Sequence, residues 1–338
     1  MDTKTEDQVI QTQLTQGRSD WPDEPLAVTT ASVDAQIEDF FYDSYLRYFK
    51  TAETRRRWCV DSDIPWSEIT SNASETTALI VESFSAVEMF LPDYTHKITD
   101  LVRKSRGRAL FQANWGYEES KHSIVLDMWL ERSGKRTEDQ MAEFERSLLG
   151  GEWKLPFDSP RQMICYTMIQ ELATGVNYNN LRERAESEGD VCLARVFRWV
   201  AADESAHYNF FRKGVKAFME LDPEGTAKDI KWVFDHFSMP AHALIPEWDE
   251  RGKAIEDAGV YGPKVYLAKV RRPIIEDLSL TREQLRGTGL SEAEVQEISD
   301  KEDERQEAIR QGKYSRFTTI ATSPRLLHPC KRIVSTIP

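Results

Sequence analysis

A glutamate set within the apolar stripe of a helix is a costly placement, and this chain makes it four times. In one helical segment Val81, Phe84, Glu88 and Leu91 share a face, and in the next Trp115, Glu119, His122, Leu126 and Trp129 do. A third segment aligns Ile164, Met168, Glu171 and Tyr178. A fourth aligns Phe197, Val200, Ala201, Glu204, His207 and Phe211. Residues three, four and seven apart fall on one side of an α-helix, so each glutamate points where the apolar residues point. A buried carboxylate without a partner is strongly unfavourable, and four that converge need a shared counter-charge. Metal cations supply one.

The order of the residues sharpens this reading. Glu88 precedes the unit Glu119-Ser-Lys-His122 by 31 positions, and Glu171 precedes Glu204-Ser-Ala-His207 by 33. One unit is thus repeated: a lone Glu on one helix, then E-x-x-H on the next. The i, i+3 spacing sets carboxylate and imidazole on adjacent turns. With glutamate at about a tenth of the chain, roughly 0.6 of the six histidines would have Glu three residues earlier by chance, so one such pair means little. Duplication, matched offsets and apolar faces together mean more. They form the ligand set of a carboxylate-bridged di-metal site in a four-helix bundle. Oxygen-rich ligands with one imidazole per metal suit iron or manganese better than zinc.

The rest of the chain reads as all-α. Residues 32–58 carry aromatic and apolar residues at helical spacing, and a loop follows to Ile69. Long helices are expected over 74–103, 108–132, 160–186 and from Gly189-Asp190 to Leu221, with shorter ones at 227–237 and 262–282. Three regions result: a loose arm at 1–30, a helical domain at 31–285, and a charged extension at 286–338, either a solvated helix capped by Ser291 or disordered. The formal net charge of −13 argues against nucleic acid as a partner. No apolar run approaches the roughly 20 residues of a membrane span, so an integral membrane protein is not expected. The first residues lack a basic region followed by an apolar one, and the acids among them are unlike a transit peptide. Cys59, Cys165, Cys192 and Cys330 are scattered, as thiols of a reducing cytoplasm are.

Six segments resemble the soluble acyl-carrier-protein desaturases of plants and bacteria, a branch of the ferritin-like di-iron proteins. They are VEMFLPDY (87–94), WGYEESKHS (115–123), IQELAT (169–174), AADESAH (201–207), LDPEGT (221–226) and SMPAH (238–242). The family's patterns are close to EEALPTY, AEENRHG, FQERAT, AADEKRHE, a DP-x-GT turn and SMPAH, in the same order. The resemblance covers residues 64–285 and implies a ferritin-like four-helix bundle with flanking helices. By position, Glu88 and His122 would be terminal ligands of one iron, Glu171 and His207 of the other, and Glu119 and Glu204 the bridges. Thr174 falls where the family keeps an active-site threonine. Met89, Leu172, Ser120-Lys121, Ser205-Ala206 and Tyr208 depart from the patterns without removing a ligand, and they bear on which acyl chain is taken.

The resemblance implies an O2-dependent desaturase that places a cis double bond in a fatty acyl chain on acyl carrier protein. It also implies two Fe ions per chain, a ferredoxin-type electron donor and a homodimer. Glu118 and Asp203, each just before a bridging Glu, either accept a hydrogen bond from the opposite half's imidazole or face solvent; the sequence leaves both open. Because a carrier protein is acidic, its docking surface should be locally basic. Arg55, Arg56, Arg57, Lys264, Lys269, Arg271 and Arg272 are candidates. Competing readings are another di-iron oxygenase, hydroxylase or N-oxygenase on the same bundle, or a non-catalytic iron-binding or scaffold bundle. The remaining histidines (His96, His236, His242, His328) lack metal-ligand spacing.

Overall fold

Four helices carry the site, and three of them begin at a capping side chain. The computed structural model describes residues 33–286 apart from residue 158. The arm at 1–30, nearly all of the extension at 286–338, His328 and Cys330 lie outside the described residues. Helix α1 (Val33–Thr51) ends in a π turn at Ala52–Arg56. Helix α2 (Glu75–Glu88) is capped by Ser74, whose side chain accepts from the Thr77 amide. After α3 (Leu91–Val102) comes α4 (Arg106–Arg132). Helix α5 (Glu138–Leu148) opens on a reciprocal capping box between Thr137 and Gln140. Ser159 caps α6 (Pro160–Ser187), with the proline in its first turn. The turn into α7 (Val191–Leu221) uses Gly189 at φ +77°, a left-handed conformation that costs glycine little. Asp190 then caps α7 through the Leu193 amide at 2.8 Å and also accepts from Trp129 Nε1.

Helices α2, α4, α6 and α7 form the bundle, with α6 and α7 in contact along most of their length and α1 laid against α4 and α7. No strand occurs among the described residues, as the all-α reading expects. Beyond the bundle run α8 (Pro223–His236), α9 (Trp248–Asp257), α10 (Pro263–Tyr266), a π turn at Leu267–Arg271 and α11 (Arg272–Leu278). Two apolar clusters fill the interior. One is built around Phe111, Ile164, Phe210 and Phe211, and the other around Val81, Trp129, Tyr178 and Phe197.

The single helix expected over 74–103 is two. Pro92 has no N–H to donate to the Glu88 carbonyl, and its ring would collide with that carbonyl. The helix therefore stops at Glu88 and restarts at Leu91. The Val87 carbonyl at the break accepts from Phe90 N at 3.2 Å and from Tyr94 Oη at 3.0 Å. Helix α8 starts at Pro223 rather than 227, because Asp222 both ends α7 and caps α8 through Gly225 N. Helices α5 and α9 were not expected from the sequence, although the Thr137…Gln140 box announces the first.

Candidate metal centre

The bundle interior gathers six side chains into two groups. Glu88, Glu119, His122 and Glu204 form one and Glu119, Glu171, Glu204 and His207 the other, with the potential ligand atoms of each group within 4.8 Å of one another. Glu119 and Glu204 belong to both. All six are buried, His122, Glu171 and His207 completely. Each imidazole turns Nδ1 toward the carboxylates: His122 Nδ1 lies 2.8 Å from Glu119 Oε2, and His207 Nδ1 lies 3.0 Å from Glu119 Oε1.

The donor set fits a pair of divalent cations. Glu171 Oε2, Glu204 Oε1 and His207 Nδ1 are buried with no hydrogen-bond partner, although His207 Nδ1 lies 3.4 Å from Glu171 Oε2 and Glu204 Oε1 lies 3.4 Å from His122 Nδ1. Lone pairs left so in a dry interior are costly unless a cation takes them, and four carboxylates balance the charge of two divalent ions. The electrostatics of the metal-free cluster agree. Burial, and then the charge of Glu119, push Glu88 up to about 8. Burial followed by Glu119 and Glu171 raises Glu204 well above the ordinary carboxylate range. Burial would raise Glu119 too, but the charges of His122 and His207 and the hydrogen bond with His122 hold it at about 2. Burial opposes charge on both imidazoles, yet the surrounding acidic groups raise them well above the usual histidine value. Protons stand here in place of metal.

Behind the imidazoles lies a reciprocal outer layer. His207, on α7, has Nε2 3.0 Å from Glu118 Oε2 on α4; His122, on α4, has Nε2 3.3 Å from Asp203 Oδ2 on α7. An ionised carboxylate only accepts, so each Nε2 carries a hydrogen, which leaves Nδ1 as the nitrogen turned inward toward the ligand carboxylates. One cation serves both carboxylates. Arg56 pairs with Glu118 Oε1 at 2.8 Å and with Asp203, while donating to Tyr48 Oη at 2.6 Å. Tyr48 donates in turn to Glu118, and Trp58 Nε1 donates to Asp203 at 2.7 Å. Arg56, expected on a docking surface, is thus turned inward with its side chain 14% exposed. The two buried carboxylates attract it, while its neighbours Arg55 and Arg57 stay in solvent.

Arg271 is likewise buried, over the Phe234 ring, whereas Lys264 and Lys269 are exposed and Arg272 is half-buried. Thr174 is buried one turn beyond Glu171, and its hydroxyl donates to the Gln170 carbonyl at 2.9 Å. Sequence reasoning missed three further residues at the site. Tyr178 Oη donates to Glu88 Oε1 at 2.9 Å, Trp115 Nε1 to Glu171 Oε1 at 3.0 Å, and Tyr48 joins the outer layer. Trp115 and Tyr178 stood within the apolar stripes, where a polar tip beside a ligand is the available signal. His96 and His236 are exposed and His242 is half-buried, and none joins the cluster.

A cavity of about 130 Å³ opens beside the cluster, lined by Glu88, Glu119, Glu204 and Thr174, by Trp115 and Tyr178, and on its far side by α9. No described helix is long and apolar enough to cross a membrane.

The comparisons with known proteins agree with this geometry. The model of the fatty acid desaturase family matches residues 67–320, running past residue 285, where the motif resemblance stopped. The chloroplastic stearoyl-[acyl-carrier-protein] 9-desaturase of Ricinus communis is 31% identical over 222 residues, covering 63% of this chain and 56% of its own length. That of Olea europaea is 28% identical over 266 residues, covering 73% and 65%. The chain therefore spans less than two thirds of these relatives. The X-ray structure of DesA2 from Mycobacterium tuberculosis H37Rv, described as an acyl-ACP desaturase, matches 79% of this chain and 99% of its own. Its TM-score of 0.54 at 16% identity speaks to a shared fold.

Proposed function

Because the chain belongs to the fatty acid desaturase family, we propose that it is an O2-dependent desaturase of fatty acyl chains held on acyl carrier protein, with a di-iron centre. The observation that carries this reading is the pair of ligand groups sharing Glu119 and Glu204. Glu88 and His122 would hold one iron, Glu171 and His207 the other, and the shared glutamates would bridge. The chemistry such a centre supplies when bound is the reduction of O2 with two external electrons and two protons, coupled to loss of two hydrogens from adjacent methylenes, giving a cis double bond and two waters.

The protein's own residues prepare the site for that chemistry. Glu118 and Asp203 fix the tautomers of His207 and His122, so that the inward nitrogens are free to bind. Tyr178 holds one oxygen of Glu88. Phe84, Trp115, Met239, Trp248 and Ile255 give the cavity a mainly apolar wall that keeps water away from the chain. Thr174 lines the same space, with its hydroxyl donating to the Gln170 carbonyl.

Further parts of the reading follow from the family resemblance. A ferredoxin-type protein supplies the electrons, and a homodimer forms. The exposed apolar stripe Leu110, Tyr117 and Ile124, spaced by sevens on α4, supports the dimer. Exposed Arg55, Arg57, Lys264 and Lys269 are the carrier-docking candidates that remain. The free thiols Cys59, Cys165 and Cys192 suit the reducing cytoplasm.

The test is iron content followed by product analysis. Close to two irons per chain are expected after anaerobic loading, largely lost in Glu204→Ala. The loaded protein should convert an acyl-carrier substrate to a cis-alkene. No bound metal would sink the reading, and an oxygenated product would replace desaturase by hydroxylase.

A further inference from the structure

Helix α9 forms the wall of the cavity that stands across from the metal ligands. Trp248, Gly252, Ile255 and Glu256 line the space on the α9 side, and Glu88, Glu119, Glu204 and Thr174 line it on the bundle side. The four α9 positions are spaced by four, three and one, so they share a helix face. A gap between two walls forfeits dispersion contacts, so a directional bond gains weight in fixing the distance between them.

Arg251, buried on the same helix, supplies that bond. Its Nη1 lies 2.8 Å from Glu82 Oε2 on α2 and donates to Ser83 Oγ at 3.1 Å. Its Nε donates to the Pro246 carbonyl at 3.1 Å, which ties down the turn into α9. That turn holds Glu247 at φ +58°, a left-handed conformation unfavourable to a residue with a Cβ. Helix α2 carries a metal ligand as well. Glu82 and Glu88 lie six residues apart on it, about 9 Å at the helical rise. One helix therefore sets both a ligand and the anchor of the facing wall. Glu82 is also shared: its Oε1 accepts from Arg136 Nε at 2.5 Å. Arg136 follows α4, pairs with Glu75 too, and lines no part of the cavity.

Resting on the desaturase reading, we infer that Arg251 is a positioning residue of the reaction: through Glu82 it fixes α9 relative to Glu88, and so decides which methylenes of the acyl chain lie beside the metal ligands. A misplacement of about 1 Å can cost about 100-fold in rate, so a wall held loosely lets neighbouring methylenes compete.

The experiment compares the full iron-loaded chain with Arg251→Gln, Arg251→Lys and Arg136→Gln. The two glutamine variants each take one arginine from Glu82, so both should melt at lower temperature, but only the first releases α9. The readouts are amide hydrogen exchange in α9, kcat and KM taken separately, and the double-bond position in products from hexadecanoyl- and octadecanoyl-carrier protein. Arg251→Gln should speed exchange in α9 about tenfold or more. It should also lower kcat/KM about tenfold or more, and give alkenes at adjacent positions where the parent gives one. Arg251→Lys keeps the charge but not the fork and should lie between; it carries the same test if the glutamine variant does not fold. Arg136→Gln should keep the parent's α9 exchange and product position. Unchanged α9 exchange or an unchanged single position in the Arg251 variants would overturn the inference and leave the desaturase reading standing. So would an equal spread of positions in Arg136→Gln, which would trace the effect to stability alone. No alkene from the parent with either chain would remove the desaturase reading, and this inference with it.

Discussion

Arg56 is the cation that bridges two buried carboxylates from opposite halves of the site, with Lys121 Nζ a second cation 3.6 Å from Asp203. Glu118 and Asp203 both depend on it, and through them so does the direction of both imidazoles. Replacing it with glutamine takes the arginine from buried Glu118, while Asp203 keeps Lys121, and breaking a buried pair in this way costs about 3 kcal/mol. Loss of an outer hydrogen-bond partner lowers metal affinity by about 10- to 100-fold. Arg56→Gln should therefore unfold at lower temperature and release iron to a weaker chelator, with Arg56→Lys between it and the parent, since one ammonium cannot fork to both acids. Unchanged iron retention in both variants would show that the imidazoles are held by other means. Nothing in the run Arg55-Arg56-Arg57 distinguishes the inward residue. Its direction is set by carboxylates 62 and 147 positions away, which no local pattern encodes. The six clustered acids and histidines were legible because a helical period fixes direction within one element. The same cluster gives a pH prediction. Glu88, raised from 4.5 to about 8, adds stability to the metal-free protein that is complete below about pH 4.5 and lost as pH rises toward 8. Both imidazoles, raised as well, act in the same direction above pH 6.5. Glu119, lowered to about 2, favours folding above 4.5 and loses that as pH falls. The metal-free protein should be most heat-stable near pH 5 and decline by pH 8, while iron binding grows stronger over the same rise and releases protons. Thermal scans with and without iron at each pH test both signs.

At the scale of elements, α4 is held on both sides by contacts that set its height against its neighbours. On one side Gly107 meets the backbone of α1. A methyl at this position would lie 2.3 Å from Phe41 C and from Tyr42 N. Alanine normally favours a helix interior over glycine by about 1 kcal/mol, but the displaced atoms here are main chain and cannot rotate aside. Overpacking of this kind costs about 1–3 kcal/mol, so Gly107→Ala should destabilise, and it should also disturb Arg56 at the end of α1. A rise in melting temperature would show that α1 moves freely. On the other side Ser85 of α2 donates to Asp127 of α4. Burial, opposed by Ser85 and aided by Glu131 and Glu145, raises Asp127 from 3.8 to about 6. A raised carboxyl loses stability as pH climbs from 3.8 through 6. Asp127→Asn, which still accepts from Ser85, should then be more stable by about 2 kcal/mol at pH 7 and no more stable at pH 3.5. Chemical denaturation at the two pH values decides. These couplings also show why the element boundaries were only partly readable. The apolar period continues from Glu88 to Leu91 across the break before Pro92, so periodicity alone joined two helices that the proline separates. Helix α5 has its capping box but few apolar positions, and Trp248–Asp257 is short and charged. Neither offers the sustained stripe that exposes a bundle helix.

At the scale of the whole molecule, the proposed partner and the protein repel. A chain of net charge −13 meeting an acidic carrier gains nothing from long-range attraction. Docking must rely on fields that act only at short range, from exposed Arg55, Arg57, Lys264 and Lys269. Ionic strength separates the two effects. At about 0.01 M salt the screening length is roughly 30 Å, so the carrier feels the whole negative surface; near 0.15 M it is roughly 8 Å, and only the nearest charges count; at 1 M it is roughly 3 Å, and these are screened too. Carrier binding should therefore be tightest at intermediate salt and weaker on either side, unlike the steady weakening expected of a protein opposite in charge to its partner. Arg57 already pairs with Glu53 at 2.5 Å, which leaves Arg55 as the freer charge on its segment. Reversing Arg55 to Glu and, separately, Lys264 and Lys269 to Glu locates the surface. The segment that docks should lose its salt optimum and bind about tenfold more weakly, and the other should keep both. Binding that falls steadily with salt from the lowest concentration would mean that the local field outweighs the net charge at every distance. Binding that rises steadily to 1 M would remove the electrostatic account of docking.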